Sequence, residues 1–151
     1  MNAQIQTIKK SININASQEK VWPVLIQDNF NRIWFAAFSE GVIAETNWQI
    51  GTKAKFIDNK GDGIVGTVIV NRLYEVLSIE YDGLMIAGTE DYESAEAQAV
   101  KGSRETYRLS EKEGATQLTI ECDTAEEYFG MMAAAWDNAL LKIKELAEAN
   151  S

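Results

Sequence analysis

Hydrophobic positions change their period along the chain, and the changes mark out one strand, two short helices, a long run of strands and a final helix. In residues 5–15, Ile8, Ile12 and Ile14 share one parity, which predicts a strand with one face buried; Lys10 is the exception on that face. Ser17 offers a helix N-cap, and residues 18–28 place Val21, Trp22, Leu25 and Ile26 at helical spacing. Pro23 lies beyond the first turn of that helix and is expected to bend or split it. Residues 29–38 continue as a second short helix with Phe30, Ile33, Trp34 and Phe38 as its apolar set. From Gly41 onwards the period is two, in residues 42–48, 53–58, 64–73, 76–82, 103–110 and 115–123. With the first segment these make about seven strands. Short turn signals such as Ile50-Gly51-Thr52 and Glu113-Gly114 join most of them, so neighbours are antiparallel; a parallel crossover needs a longer connection.

The clearest helical signal spans residues 124–149. Phe129, Met132, Trp136, Leu140, Ile143 and Ala147 recur at steps of three or four, and Ala139 and Leu146 widen the stripe. Glu126, Glu127, Asp137, Asn138, Glu145 and Glu148 fall on the other side, and Thr124 with Glu127 forms a capping-box pattern at the start. A helix with Phe, Met and Trp on one face must leave water, and the only upstream partners are strands, so it packs against a sheet. The fold class is therefore α+β in a single domain, 1–151. Residues 83–102 are too long for a hairpin and carry Glu90, Asp91, Glu93 and Glu96 among small residues. They read either as a flap touching a ligand or as a solvated loop, with a helical turn around residues 94–99.

Composition narrows the function. With 151 residues and 46% hydrophobic content the chain can bury a core without disulfides or metal. A net charge of -9 argues against nucleic acid and anionic membranes, both of which need clustered Lys and Arg. One cysteine excludes an intramolecular disulfide, the start Met1-Asn2-Ala3-Gln4 lacks the marks of a signal peptide, and no window is apolar enough for a membrane span, so a cytoplasmic protein is expected.

The motif matches are mostly structural. Gly61-Asp62-Gly63-Ile64-Val65-Gly66 fits a dinucleotide fingerprint, but Thr67 to Val70 is strand-like where that site needs a helix, so a glycine-rich hairpin turn is expected. Residues 58–63 resemble half a calcium loop, with Lys60 and Ile69 where oxygen ligands should stand. The absence of histidine removes Ser-His-Asp and Cys-His catalysis and the usual zinc sites. Cys122 shares a strand parity with Leu118 and Ile120 and reads as a small buried apolar side chain. Carboxylate, tyrosine and lysine remain for acid or base work.

In order, the chain carries Ala16-x-x-x-x-Val21-Trp22-x-x-Leu25, a second helix with Trp34, Gly41, Trp48-x-x-Gly51, Phe56-x-Asp58-x-x-Gly61-x-Gly63, Glu105-x-Tyr107, Leu118-Thr119-Ile120 and Trp136-x-x-x-Leu140-x-x-x-Lys144. This sequence resembles the START-like (SRPBCC) superfamily of helix-grip, birch-pollen-allergen-like proteins, and within it the branch of activator of heat-shock protein 90 ATPase homologue-like proteins. The resemblance implies a curved antiparallel sheet wrapped round the C-terminal helix, two short helices after the first strand, and a cavity that often holds an apolar ligand. No catalytic motif of the superfamily's cyclases, dehydratases or hydrolases carries over, and no cofactor or metal is implied.

The leading reading is a non-enzymatic protein holding a small, mostly apolar molecule. Its wall would be Trp34 and Phe38 of the second helix, Trp48, Phe56, Tyr81, Tyr107 and Leu118 of the sheet, and Phe129, Met132 and Trp136 of the last helix, with a void beside Trp136. A stress-related protein-interaction module and an enzyme using carboxylate and tyrosine are the alternatives. Alternation puts Glu105 on the face of Tyr107 and Leu109, towards the helix. There it needs donors, a tyrosine hydroxyl or the Trp136 indole N–H, or a raised pKa, unless it lies at a wet rim. Met131 and Leu141, near or on the polar side of the last helix, suggest a weak homodimer.

Overall fold

The structure, a computed structural model, describes residues 4–149; Met1 to Ala3, part of the start that lacks signal-peptide marks, lie outside the described residues. The elements follow in the order β1 (Ile5–Ile14), α1 (Gln18–Ile26), α2 (Asp28–Trp34), β2 (Ile43–Glu45), β3 (Lys53–Ile57), β4 (Gly63–Arg72), β5 (Val76–Ile86), β6 (Thr89–Asp91), α3 (Ala95–Val100), β7 (Arg104–Lys112), β8 (Ala115–Ala125) and α4 (Phe129–Ala149). Single tight helical turns, Phe35–Ala37 and Glu126–Tyr128, follow α2 and precede α4. Among the described residues no helix is long and apolar enough to cross a membrane.

The eight strands form one antiparallel sheet in the order β1-β8-β7-β5-β4-β3-β2, with β6 pairing β5. Alternation gives the sheet one apolar face. Ile8 and Ile14, Leu118 and Ile120, Tyr107 and Leu109, and Leu77, Ile79 and Tyr81 from β1, β8, β7 and β5 meet Trp136, Ala139, Leu140, Ile143 and Ala147 of α4 in one buried cluster. Lys10 fits this scheme by length. Its stem runs from the inner parity of β1 to Asp137 on the outer side of α4, Nζ to Oδ1 2.8 Å, so the charge ends in water.

Pro23 does not split α1, which runs on to Ile26. The last-turn carbonyls of α1, which have no helical partner, are met from α2: Trp34 Nε1 donates to Val24 O at 2.8 Å and Asn31 Nδ2 to Leu25 O at 2.8 Å. These bonds hold the two short helices together and point the indole of Trp34 into the core. Ile33, counted in the apolar set of α2, is instead 47% exposed, because α2 closes into a tight turn that buries Phe35.

The structure corrects three further expectations. The strand expected at residues 42–48 shrinks to Ile43–Glu45, and Trp48 turns to φ 63 in the loop before β3. The capping box at Thr124 and Glu127 does not form: β8 runs to Ala125, paired with Ile5, and Glu126 N donates to Gln4 O at 2.9 Å. Continued pairing outcompetes an early helix start, so α4 begins at Phe129. Residues 83–102 are more regular than a plain loop, and the helical turn expected around residues 94–99 is present as α3. They extend β5, turn through Ala87 and Gly88 into the eighth strand, β6, and form α3, whose N-cap Ser94 side chain accepts from Ala97 N.

The glycine string is the β3–β4 hairpin. Gly61 has φ +80, and a Cβ on Gly63 would stand 1.7 Å from Phe56 O, inside the β3–β4 ladder. Gly63→Ala should therefore lower stability by about 2 kcal/mol or more in urea unfolding, whereas Gly130→Ala, with open space around it in α4, should be neutral or stabilising by about 0.5 kcal/mol. Equal effects of the two substitutions would contradict this account of the hairpin.

Candidate binding site

Glu105 and Tyr107 project from the inner face of β7, paired across the ladder with Cys122 and Ile120 of β8. Tyr81 reaches the same place from β5, its backbone tied to residues 102 and 103 by Tyr81 N to Ser103 O at 2.8 Å and Gly102 N to Tyr81 O at 2.9 Å. The two phenols converge on the carboxylate. Tyr81 donates to Oε1 of Glu105 at 2.5 Å, and Tyr107 donates to Oε2. Tyr81 also lies 4.0 Å from the Cys122 sulfur.

Burial governs the chemistry of this unit. Glu105 keeps some surface as a residue, but its carboxylate end is desolvated, and that burial raises its pKa against the opposing pull of the Tyr107 and Tyr81 hydrogen bonds. Burial likewise holds both phenols well above their ordinary value, with the charges of Glu105 and Cys122 adding to it, so they remain donors. The Cys122 thiol is pushed up to about 12, first by burial and then by the Glu105 charge, which makes it unreactive. Among the described residues no Lys or Arg forms an ion pair with Glu105. The indole N–H of Trp136 is buried without an acceptor of good geometry; the Cys122 thiol beside it responds to the indole but is a weak acceptor.

Rings surround the unit. Trp136 packs against Phe38 at 4.9 Å, Tyr107 at 5.9 Å and Trp34 at 6.3 Å between centroids. Further out, Phe56 lies 6.1 Å from Trp48 and 6.0 Å from Phe35. Of the residues predicted to form a wall, Trp34, Tyr81, Tyr107, Leu118 and Trp136 are buried, while Phe38, Trp48, Phe56, Phe129 and Met132 are partly exposed against the same cluster. Trp136 is buried among these rings. Shallow, open concavities lie on the outer sheet face beside Lys9, Arg72 and Arg108 and along residues 86–93.

Trp48 is held in its left-handed conformation by Asn71, whose Nδ2 donates to Trp48 O at 2.7 Å, and by Thr46 Oγ1, which accepts from Trp48 N at 3.0 Å. A bulky residue at positive φ is strained, and Tyr74, at φ 67 in the turn before β5, is a second one. Sequence reasoning passed over Phe35, which links Trp34 and Phe56, and the contact of Cys122 with Tyr81. Phe35 escapes a helical-stripe reading because its turn is tighter than an α-helix.

No protein-family model and no curated protein matches the chain. Solved structures do. The Aha1 dimer from Colwellia psychrerythraea is 18% identical with a TM-score of 0.73, covering 97% of this chain and 98% of its own. The protein MLL2253 from Mesorhizobium loti is 16% identical with a TM-score of 0.75, covering 97% and 99%. The AHSA1-like protein from Aeromonas hydrophila is 17% identical with a TM-score of 0.69, covering 95% and 93%. At such identities the likeness establishes the fold, the helix-grip arrangement of the Aha1-like structures, and does not extend to an activity.

The raised pKa of Glu105 has a stability consequence. A carboxyl whose folded pKa exceeds its ordinary value of 4.5 contributes stability that is complete below that value and is lost as pH rises through the folded pKa. Urea unfolding across a pH series should show wild-type stability falling relative to Glu105→Gln over that window. Parallel curves for the two proteins would place Glu105 in water.

Proposed function

We propose that this chain is a non-enzymatic binding protein that holds a small, mostly apolar molecule between the sheet and α4. Glu105 is its polar anchor, and Phe38, Trp48, Phe56, Phe129 and Met132 form the rim through which the molecule enters. The observation that carries this reading is the composition of the buried centre: a carboxylate, two phenols, a thiol and an unpaired indole N–H set among aromatic rings. A core built for stability alone gains by excluding such groups, because a desolvated carboxylate and an orphan donor each cost free energy. Polar groups convergent within an apolar, aromatic lining are what a small-molecule site requires. Of the rings against Trp136, Phe38 is the partly exposed one, so entry calls for movement at the rim and leaves the sheet in place.

Titration with the neutral fluorophore N-phenyl-1-naphthylamine should saturate at one molecule per chain and shift the emission of the four tryptophans, and native mass spectrometry of gently purified protein should show a bound mass. Unchanged emission under saturating probe, with no bound mass, would establish a solid core.

A second reading, a weak homodimer, rests on the outer side of α4 and the turn before it. Tyr128, Met131 and Leu141 are 50%, 65% and 55% exposed there. One of the structurally similar proteins is itself a dimer. Sedimentation velocity should show a coefficient that rises with concentration and ceases to do so in Leu141→Glu; concentration-independent behaviour of the wild type would exclude self-association.

A further inference from the structure

We propose that the site selects by head group, holding apolar molecules that end in a protonated amine and rejecting those that end in a carboxylate. This rests on the binding reading above and deepens it. The donors and acceptors at the centre are unequal in number. Each oxygen of Glu105 accepts one phenol, leaving about two of its four acceptor positions open, and each phenol oxygen keeps acceptor capacity after donating its proton. Against these stand only the indole N–H of Trp136, buried with no acceptor better than the Cys122 sulfur, and the Cys122 thiol, a weak donor directed at Asp123 O. A head group that enters must therefore donate more hydrogen bonds than it accepts.

Charge points the same way. The cations of β7 itself are turned away, Arg104 to Glu80 and Arg108 to Glu121 on the parity opposite to Glu105 and Tyr107, and Lys10, on the inner parity of β1, is taken by Asp137. No cation of the described chain therefore compensates the carboxylate, and the ligand can supply one. The ring set of Trp34, Phe38, Tyr107 and Trp136 adds to this, since ring faces attract an ammonium group and do so more strongly when water is absent. An anionic head would face an unscreened like charge and an overall charge of -9.

The test uses three probes with the same twelve-carbon tail, dodecylamine, 1-dodecanol and dodecanoate. Each is titrated below its micelle concentration into the full chain at pH 7.5 and physiological salt, with tryptophan emission and calorimetry as readouts. Dodecylamine should bind at least tenfold more tightly than dodecanoate, with dodecanol between them. In Glu105→Gln the ratio of dodecylamine to dodecanol affinity should fall at least fivefold. Glu121→Gln, which removes an equal charge from the outer face, should keep the preference and so separates site recognition from attraction to an acidic surface. Dodecanoate binding as well as the amine, or an amine preference that survives in Glu105→Gln, would overturn the inference and leave the binding reading standing. If none of the three binds, the binding reading falls and the inference with it. Should Glu105→Gln fail to fold, the wild-type ranking alone decides.

Discussion

Everything in this fold is arranged around the burial of one side of α4. Trp136, Ala139, Leu140, Ile143 and Ala147 lose their water together, and a single helix cannot achieve that without a surface that curves round it. The sheet supplies the curve. Its register shifts between β4 and β5, at residues 65/66 and 68/70, bend the ladder where the strands pass from the flank of α4 towards β3. Gly66 sits at one of these bends, where a Cβ would stand 2.5 Å from Glu80 O. The helix pair α1 and α2 closes one end, held by carbonyls that α1 leaves free and α2 side chains fill. Helix, bent sheet and end cap are thus consequences of the same need to cover one apolar stripe.

The same geometry creates the site. Inward parity on β5, β7 and β8 sends Tyr81, Glu105, Tyr107 and Cys122 to the zone facing the early turns of α4, where Trp136 is the large residue opposite. One of the polar contacts, Tyr81 to Glu105, joins neighbouring strands, so the carboxylate also ties β5 to β7 through a side-chain bond beside the backbone ladder. Dry surroundings then act in two directions. They strengthen the phenol–carboxylate bonds and they raise the cost of every lone pair and proton left without a partner.

Most of the fold was legible in the sequence because burial on one side leaves a period. Strands β1, β3, β4, β5, β7 and β8 and the stripe of α4 all follow from where apolar residues recur, and the alternation that predicted the inward carboxylate of Glu105 is the alternation observed. What stayed hidden depends on pairings between distant segments. The start of α4 was misplaced because Thr124 and Glu127 carry a local capping signal, while the pairing that overrides it comes from Ile5 and Gln4, more than a hundred positions away. Trp48 has the composition of a strand residue, and only Asn71, across the loop, fixes it outside the sheet. Lys10 looked like a defect in β1 until Asp137 gave its charge a place in water.

Buried polar groups have a second common explanation, that they specify register, since mispaired strands would strand them without partners. The Tyr81 bond to Glu105 serves that purpose between β5 and β7. The Trp136 N–H cannot, because it contributes no good hydrogen bond to any strand in the native arrangement and so penalises the correct pairing as much as a wrong one. A tryptophan at this position is also costly to keep for packing alone, where phenylalanine or methionine would fill space without an unpaired donor. The rim carries a further cost in the positive φ of Trp48, which Asn71 and Thr46 stabilise without removing. An unpaired donor at the centre and a strained aromatic residue at the edge are both unfavourable to the folded chain. The binding reading proposed above turns instead on the open acceptor positions of Glu105, which an entering donor would fill, and this difference between the two states is where the free energy of selective binding would arise.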